Sequence, residues 1–310
     1  MQKINLRWGV AVFVGIIVIT AGAVLAGNPP DEGSALGITQ AIVFGIVEGL
    51  TEYLPISSTG HLLVAKELMG LGSETSSEAA INAYIVVIQF GAIIAILVIC
   101  LNRFISLYKG LFQGDPVGRK LLANLIFAFL PAVVIGLALE DQIKGHLFGT
   151  FPVILGWVAG GLVILGFAFL CRFRSIDLHQ GRDLEDITIP VALVIGFAQC
   201  LAMWPGVSRS LATILGALFM GVSMAAAVEF SFLLGAVTLS AASIYDLLKH
   251  GQDMMQAFDF SSMAVGLVFA FVSAVLSVKW MVGYLNRYGL ELFGYYRIAI
   301  AGVAWWVFYL

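Results

Sequence analysis

A chain of 310 residues that is 60% hydrophobic and 11% charged, with a mean hydropathy of +0.99, cannot be an ordinary soluble globule, which carries about 25% charged residues. It reads as an all-α membrane protein with several spans. The net charge of −3 gives no sign of nucleic acid as a partner. Cys100, Cys171 and Cys200 lie in or beside apolar segments without Cys-x-x-Cys spacing, and so read as buried thiols rather than disulfides or metal ligands.

Residues 1–27 begin with Lys3 and Arg7, continue through apolar Val10 to Ile19 and end in small residues, with Val24 and Ala26 where a signal peptidase acts. A cleaved signal peptide and a retained span fit this stretch equally, and both leave the basic end in the cytoplasm. Residues 1–35 are therefore expected as a signal-like or extra transmembrane segment with its linker. Residues 36–310 are expected as one membrane domain, built as two repeats, 36–189 and 190–310.

The polar residues of the first repeat concentrate in residues 45–70. Glu48 and Glu52 stand one helical turn apart, on one face. Pro55 ends that helix, and Ser57 or Ser58 is suited to cap a new one. Each side of the break is too short to span alone, so the unit reads as a re-entrant hairpin. At an offset of 151 residues a second copy occupies 196–221: Gly45 stands against Gly196, Leu50 against Leu201, Ser57 against Ser208, Met69 against Met220 and Gly70 against Gly221. In this register Glu48 falls on Gln199, Tyr53 on Trp204 and Ser58 on Arg209, while the breaking proline moves to Pro205. Duplicated, interrupted helices point to a site at the interface of two repeats.

Further spans are expected at about 80–101, 121–139, 152–171, 223–248, 262–284 and 295–310. The segment 102–120 carries Arg103, Lys109, Arg119 and Lys120, and 172–189 carries Arg172, Arg174 and Arg182; both read as cytoplasmic loops. Residues 71–79 and 140–151 are poor in cations and read as external. With Arg287 and Arg297 placed in a last cytoplasmic loop, twelve of the 16 Lys and Arg fall inside, three outside and Arg209 in the core. The two hairpins then enter from opposite faces, as an inverted repeat requires.

Carboxylates and arginines at membrane depth need compensation. Arg209, at a helix start beside Ser208, Ser210 and Thr213, suits a phosphate. Ser57 or Ser58 would supply a nucleophile, with His61 as base, and Glu48 with Glu52 would hold a divalent cation, Mg²⁺ or Ca²⁺, that also touches phosphate oxygens. Bland readings stand beside these: Ser-x-x-His as packing, the carboxylates as a proton or ion relay, and Arg209 as their ion-pair partner. Glu229, within a span, reads as a structural pair. Gly45-x-x-x-Gly49 and Gly156-x-x-x-Gly160 read as sites of close helix approach.

Glu48-Gly-Leu-Thr-Glu52-Tyr-Leu-Pro-Ile-Ser-Ser-Thr-Gly-His61 and Pro205-Gly-Val-Ser-Arg209-Ser-Leu-Ala-Thr213 closely resemble the two signature stretches of the undecaprenyl-diphosphate phosphatases of the bacitracin-resistance type, over roughly residues 36–310. The resemblance implies an integral enzyme of the bacterial inner membrane that hydrolyses undecaprenyl diphosphate to the monophosphate with a divalent cation and an outward-opening site. It implies catalysis by Glu48, Glu52, Ser58, His61 and Arg209, with Ser57, Thr59, Ser208, Ser210 and Thr213 lining the phosphate site. A homodimer is left open. The alternative on the same scaffold is a lipid flippase or transporter for a phosphorylated prenyl lipid.

Overall fold

The computed structural model describes residues 36–71, 75–147, 149–257 and 260–310; the expected N-terminal segment lies outside them. The elements are α1 (Ile38–Thr51), α2 (Ser58–Leu68), α3 (Thr75–Ile99), α4 (Leu101–Phe112), α5 (Pro116–Leu147), α6 (Thr150–Phe173), α7 (Ile189–Cys200), α8 (Arg209–Phe219), α9 (Met224–Ala257), α10 (Phe260–Tyr288) and α11 (Glu291–Tyr309). The described residues form no strand, only an isolated bridge between Arg182 and Val222.

Four stretches, Pro116–Leu139, Thr150–Phe173, Met224–Lys249 and Phe260–Tyr288, are long and apolar enough to cross a bilayer, and the pair Tyr84–Ile99 and Leu101–Phe112, bent by 81°, makes a fifth candidate. Exposed Phe169, Phe173 and Leu162 are what a surface facing lipid presents. The expected span at 295–310 is helical too, but Arg297 and its aromatic residues dilute its apolarity, and it is not among those stretches.

The offset of 151 is kept in the backbone. Helix α2 runs from 58 to 68 and α8 from 209 to 219; α1 starts at Ile38 and α7 at Ile189. Ser57 and Ser208, which precede α2 and α8, both take positive φ, 73° and 77°. Both helices close alike: Gly70 and Gly221 have φ of 63° and 74°, and the amides of Leu71 and Val222 reach back to the carbonyls of Lys66 and Ala217, each at 3.1 Å. This is the Schellman ending, in which glycine takes the left-handed position at little steric cost.

Two compact units arise from these helices. One holds, of the described residues, 36–53, 58–95 and 239–284. Its core gathers Phe44, Val47, Leu62, Tyr84 and Ile88. Gly45 and Gly49 let α1 lie directly on α10, where a side chain would meet the carbonyls of Gly266 and Ala270. Three α10 serines secure the pair: Ser262, Ser273 and Ser277 donate to the carbonyls of Leu36, Gly45 and Leu50 at 3.4, 3.3 and 2.9 Å. Lys66, expected outside, is buried here.

The other unit holds 54–57, 96–238 and 285–310. In it α6 packs on α11 and α5 on α7. Glu229 accepts from Arg103 Nε at 2.8 Å, and Arg103 Nη1 reaches Glu185 at 3.2 Å, the structural pairing expected of Glu229. Two expectations fail in this unit. Residues 102–120 are not a plain loop, because Leu101, Ile105, Tyr108 and Phe112 recur on one side and make α4 an amphipathic helix. Arg297 does not sit in a cytoplasmic loop; it lies wholly buried within α11.

The glycine contacts give a prediction of opposite signs. Gly49→Ala would drive a methyl into the α10 backbone and is expected to cost about 1–3 kcal/mol. Gly166→Ala, with open space around its Cβ, is expected to stabilise by about 0.5–1 kcal/mol through helix propensity. Thermal unfolding of the detergent-purified variants reads both, and shifts of the same sign would contradict the packing.

Candidate active site

The first polar cluster is built by the end of α1 and the start of α2. Helix α1 stops at Thr51, four residues before Pro55, and Glu52 caps it, its amide still bonded to the Glu48 carbonyl at 2.9 Å. Glu48 and Glu52 therefore keep their one-turn spacing, and both are buried, Glu48 completely. The chain then turns through residues 52–56 and brings Ser58, the first residue of α2, back to Glu52. The Ser58 hydroxyl donates to Glu52 Oε2. His61 follows one turn along α2 and is buried, while Thr59 is exposed.

The i, i+3 spacing suggested a Ser58–His61 pair; the hydroxyl instead turns to Glu52, because α1 and α2 meet at the break. A serine whose proton is directed at a buried carboxylate has the arrangement of a nucleophile beside its base.

The second cluster belongs to the other unit. Ser208 caps α8 by accepting from the Leu211 amide at 3.3 Å, and its hydroxyl lies 3.0 Å from that of Ser210. Thr213 Oγ1 donates to the Arg209 carbonyl at 2.9 Å and lies 2.7 Å from Ser231 Oγ. Arg209 itself is half-buried. Its Nη1 donates to the Ser231 carbonyl at 3.3 Å, and its guanidinium lies over Gly235, where any Cβ would collide with it. The hydroxyls of Ser208, Ser210 and Thr213 thus bond within the protein, around the base of Arg209.

Residues 54–57 belong with this second cluster. The Ser210 hydroxyl donates to the Leu54 carbonyl at 2.8 Å, Trp157 Nε1 to Ile56 at 2.8 Å, and the Gly206 amide to Ser57 Oγ at 3.2 Å. The residue that sequence reasoning missed is Arg297. It donates from Nη1 to Pro55 O at 3.1 Å, from Nη2 to Gly206 O at 2.6 Å and Gly156 O at 2.9 Å, and from Nε to Trp157 O at 3.3 Å. Its signal in the sequence was an arginine inside an apolar helical run, which calls for compensation wherever it occurs. Gly156 and Gly160 do more than let helices approach: a side chain at 156 would strike Pro205 and Gly206, and one at 160 would strike the Arg297 guanidinium.

Among the described residues no group of three or more His, Cys, Asp or Glu comes together as a metal cage. Two buried carboxylates one turn apart fit the other mode, in which an Mg²⁺-like ion takes one or two carboxylates and completes its shell with water and phosphate oxygens.

The family model described as bacitracin resistance protein BacA matches residues 41–303. A Sorangium cellulosum protein named undecaprenyl-diphosphatase is 43% identical over 86% of this chain and 85% of its own length. One from Cereibacter sphaeroides is 42% identical over 85% of this chain and 94% of its own. Undecaprenyl-diphosphatase 2 of Rhodospirillum rubrum is 42% identical over 86% and 95%. Both signature stretches fall inside the matched residues, and with this coverage the chain belongs to the bacitracin resistance protein BacA family.

Proposed function

We propose that the protein is an undecaprenyl-diphosphatase, an integral membrane hydrolase that converts undecaprenyl diphosphate and water to undecaprenyl phosphate and inorganic phosphate, recycling the lipid carrier for cell-wall synthesis. The observation that carries this reading is the buried Ser58–Glu52 hydrogen bond, in a chain that shares over 40% identity with proteins of that name. Ser58 Oγ attacks the terminal phosphorus as its proton passes to Glu52. The bridging P–O bond breaks, and undecaprenyl phosphate leaves with the electron pair. Water then attacks the phosphoserine with His61 taking its proton, the Ser58–phosphate bond breaks and inorganic phosphate departs, Glu52 returns the first proton to Ser58, and His61 releases the proton of the water to solvent. Arg209 supplies the planar two-point contact to diphosphate oxygens that its guanidinium suits. Glu48 and Glu52 would hold the divalent cation, Mg²⁺ or Ca²⁺, which when bound neutralises phosphate charge. Ser57, Ser208, Ser210 and Thr213 shape the walls through their bonds within the protein, and Thr59 is free to meet substrate.

On this reading the purified protein releases phosphate from a long-chain prenyl diphosphate, stops on addition of chelator and resumes on addition of Mg²⁺ or Ca²⁺. Turnover indifferent to chelator would remove the metal, and no phosphate release under any condition would remove the enzyme.

Variants separate the roles. Ser58→Ala and Glu52→Gln are each expected to lower kcat by about 10²–10⁴-fold. Arg209→Lys keeps the charge but is expected to lose about 10²–10³-fold. Near-normal turnover in any one of them withdraws that residue from the chemistry.

We further propose that the protein sits in the bacterial inner membrane with hairpins of opposite entry and the site open to the periplasm. With Arg297 and Lys66 both buried, the remaining Lys and Arg still favour the assigned cytoplasmic segments, which supports this orientation. The test places single cysteines at the exposed positions His146 and Gln113 in a background without the native three, and labels whole cells with an impermeant thiol reagent. Labelling at 146 alone is expected; labelling at 113 alone reverses the topology.

A further inference from the structure

We propose that Arg297 is a positioning residue for the reaction: one guanidinium holds the equivalent carbonyl in each copy of the duplicated break and so fixes both breaks in a single geometry. Pro55 and Gly206 are counterparts at the offset of 151, as are Ser57 and Ser208. Arg297 Nη1 takes the Pro55 carbonyl and Nη2 the Gly206 carbonyl. Two residues further on in each copy the chain passes through a serine of positive φ and into the helix that opens with Ser58 or Arg209. The residues assigned to attack and to diphosphate binding therefore each follow, three residues on, a carbonyl held by the same side chain.

Neither lysine nor a neutral residue can do this. Four carbonyls on three segments are met by one planar fork with fixed donor directions, whereas an ammonium has three donors on one atom. The site is also made for that fork: Gly160 faces the guanidinium without a side chain, and Gly156 leaves room for residues 205 and 206. Among the described residues the partners of Arg297 are backbone carbonyls, so these bonds set the path of the chain, not the charge of a neighbouring acid.

The inference rests on the proposed hydrolase activity, and its test has a readout that does not. Hydrogen exchange is followed on the purified wild type and on Arg297→Met, comparing peptides over residues 52–58, 203–209 and 101–112. Loss of protection is expected at both breaks together, although they are 151 residues apart, with 101–112 unchanged. Loss confined to α11 or to one break overturns the clamp, whatever the enzyme does.

Activity is then measured on Arg297→Lys and Gly160→Ala, the second of which keeps the arginine and displaces it. Assays are run well below each variant's unfolding temperature, per folded protein. The expected result is kcat reduced by about 10²-fold in Arg297→Lys, the size of loss that follows misplacement by about an ångström. A smaller loss is expected in Gly160→Ala, with KM changed less than kcat in both. Wild-type kcat in folded Arg297→Lys overturns the positioning role. Should Arg297→Met fail to purify, Gly160→Ala carries the exchange experiment with the same deciding outcomes. A wild type that releases no phosphate fails the proposed function and leaves the exchange result standing.

Discussion

Breaking a helix where water does not reach strands amides and carbonyls that must find partners inside the protein. Leu54 and Ile56 are wholly buried, and each consecutive carbonyl of that break meets a side-chain donor: Leu54 from Ser210, Pro55 from Arg297, Ile56 from Trp157. The second break is met in the same way, with the Gly206 amide on Ser57 and its carbonyl on Arg297. An unsatisfied buried polar group costs about 1–3 kcal/mol, so these bonds are conditions for the breaks to exist at all. They also explain why residues 54–57 belong with the second break and not with the helices that flank them in sequence.

Once the breaks are held, their local chemistry follows. Three non-glycine residues among those described have positive φ, and Ser57 and Ser208 are two of them, at counterpart positions. Such conformations cost of order 1–3 kcal/mol and persist where the surroundings over-determine them. At both breaks the surroundings are the hydrogen bonds just counted. The turn that ends α1 early and starts α2 at residue 58 is what returns the Ser58 hydroxyl to Glu52, so the proposed nucleophile–base pair is a product of the break and not of helix spacing.

That distinction marks what could be read from the chain alone. The two helix–break–helix units, the offset and the helix starts at 58 and 209 were legible because proline, capping serine and closing glycine act within a few residues of themselves. The pairing of Ser58 was not, because spacing on α2 offers His61 while the turn supplies Glu52. Helix α4 was hidden by its own basic residues: counting Arg103 and Lys109 assigns a side of the membrane, and only the recurrence of Leu101, Ile105, Tyr108 and Phe112 reveals a helix there. Arg297 was misplaced for a related reason. Charge counting treats an arginine near an apolar end as a loop marker, while its partners come from residues about 90 to 240 positions away, which no local pattern encodes.

The divergence of the two copies carries the last step. Gln199, the counterpart of Glu48, accepts from Thr238 at 3.2 Å, a neutral contact that needs no ion, so the second copy has given up the charge the first retains. In exchange it carries Arg209 where the first has Ser58, as the first residue of a helix. The positive end of a helix dipole disfavours a cation there and favours an anion. The Ser231 carbonyl and the bare surface of Gly235 hold the guanidinium in place. On the proposed reading an anion joins the arginine there, so that the dipole and the guanidinium act on one charge. A diphosphate head group has the charge and the oxygen geometry to do so.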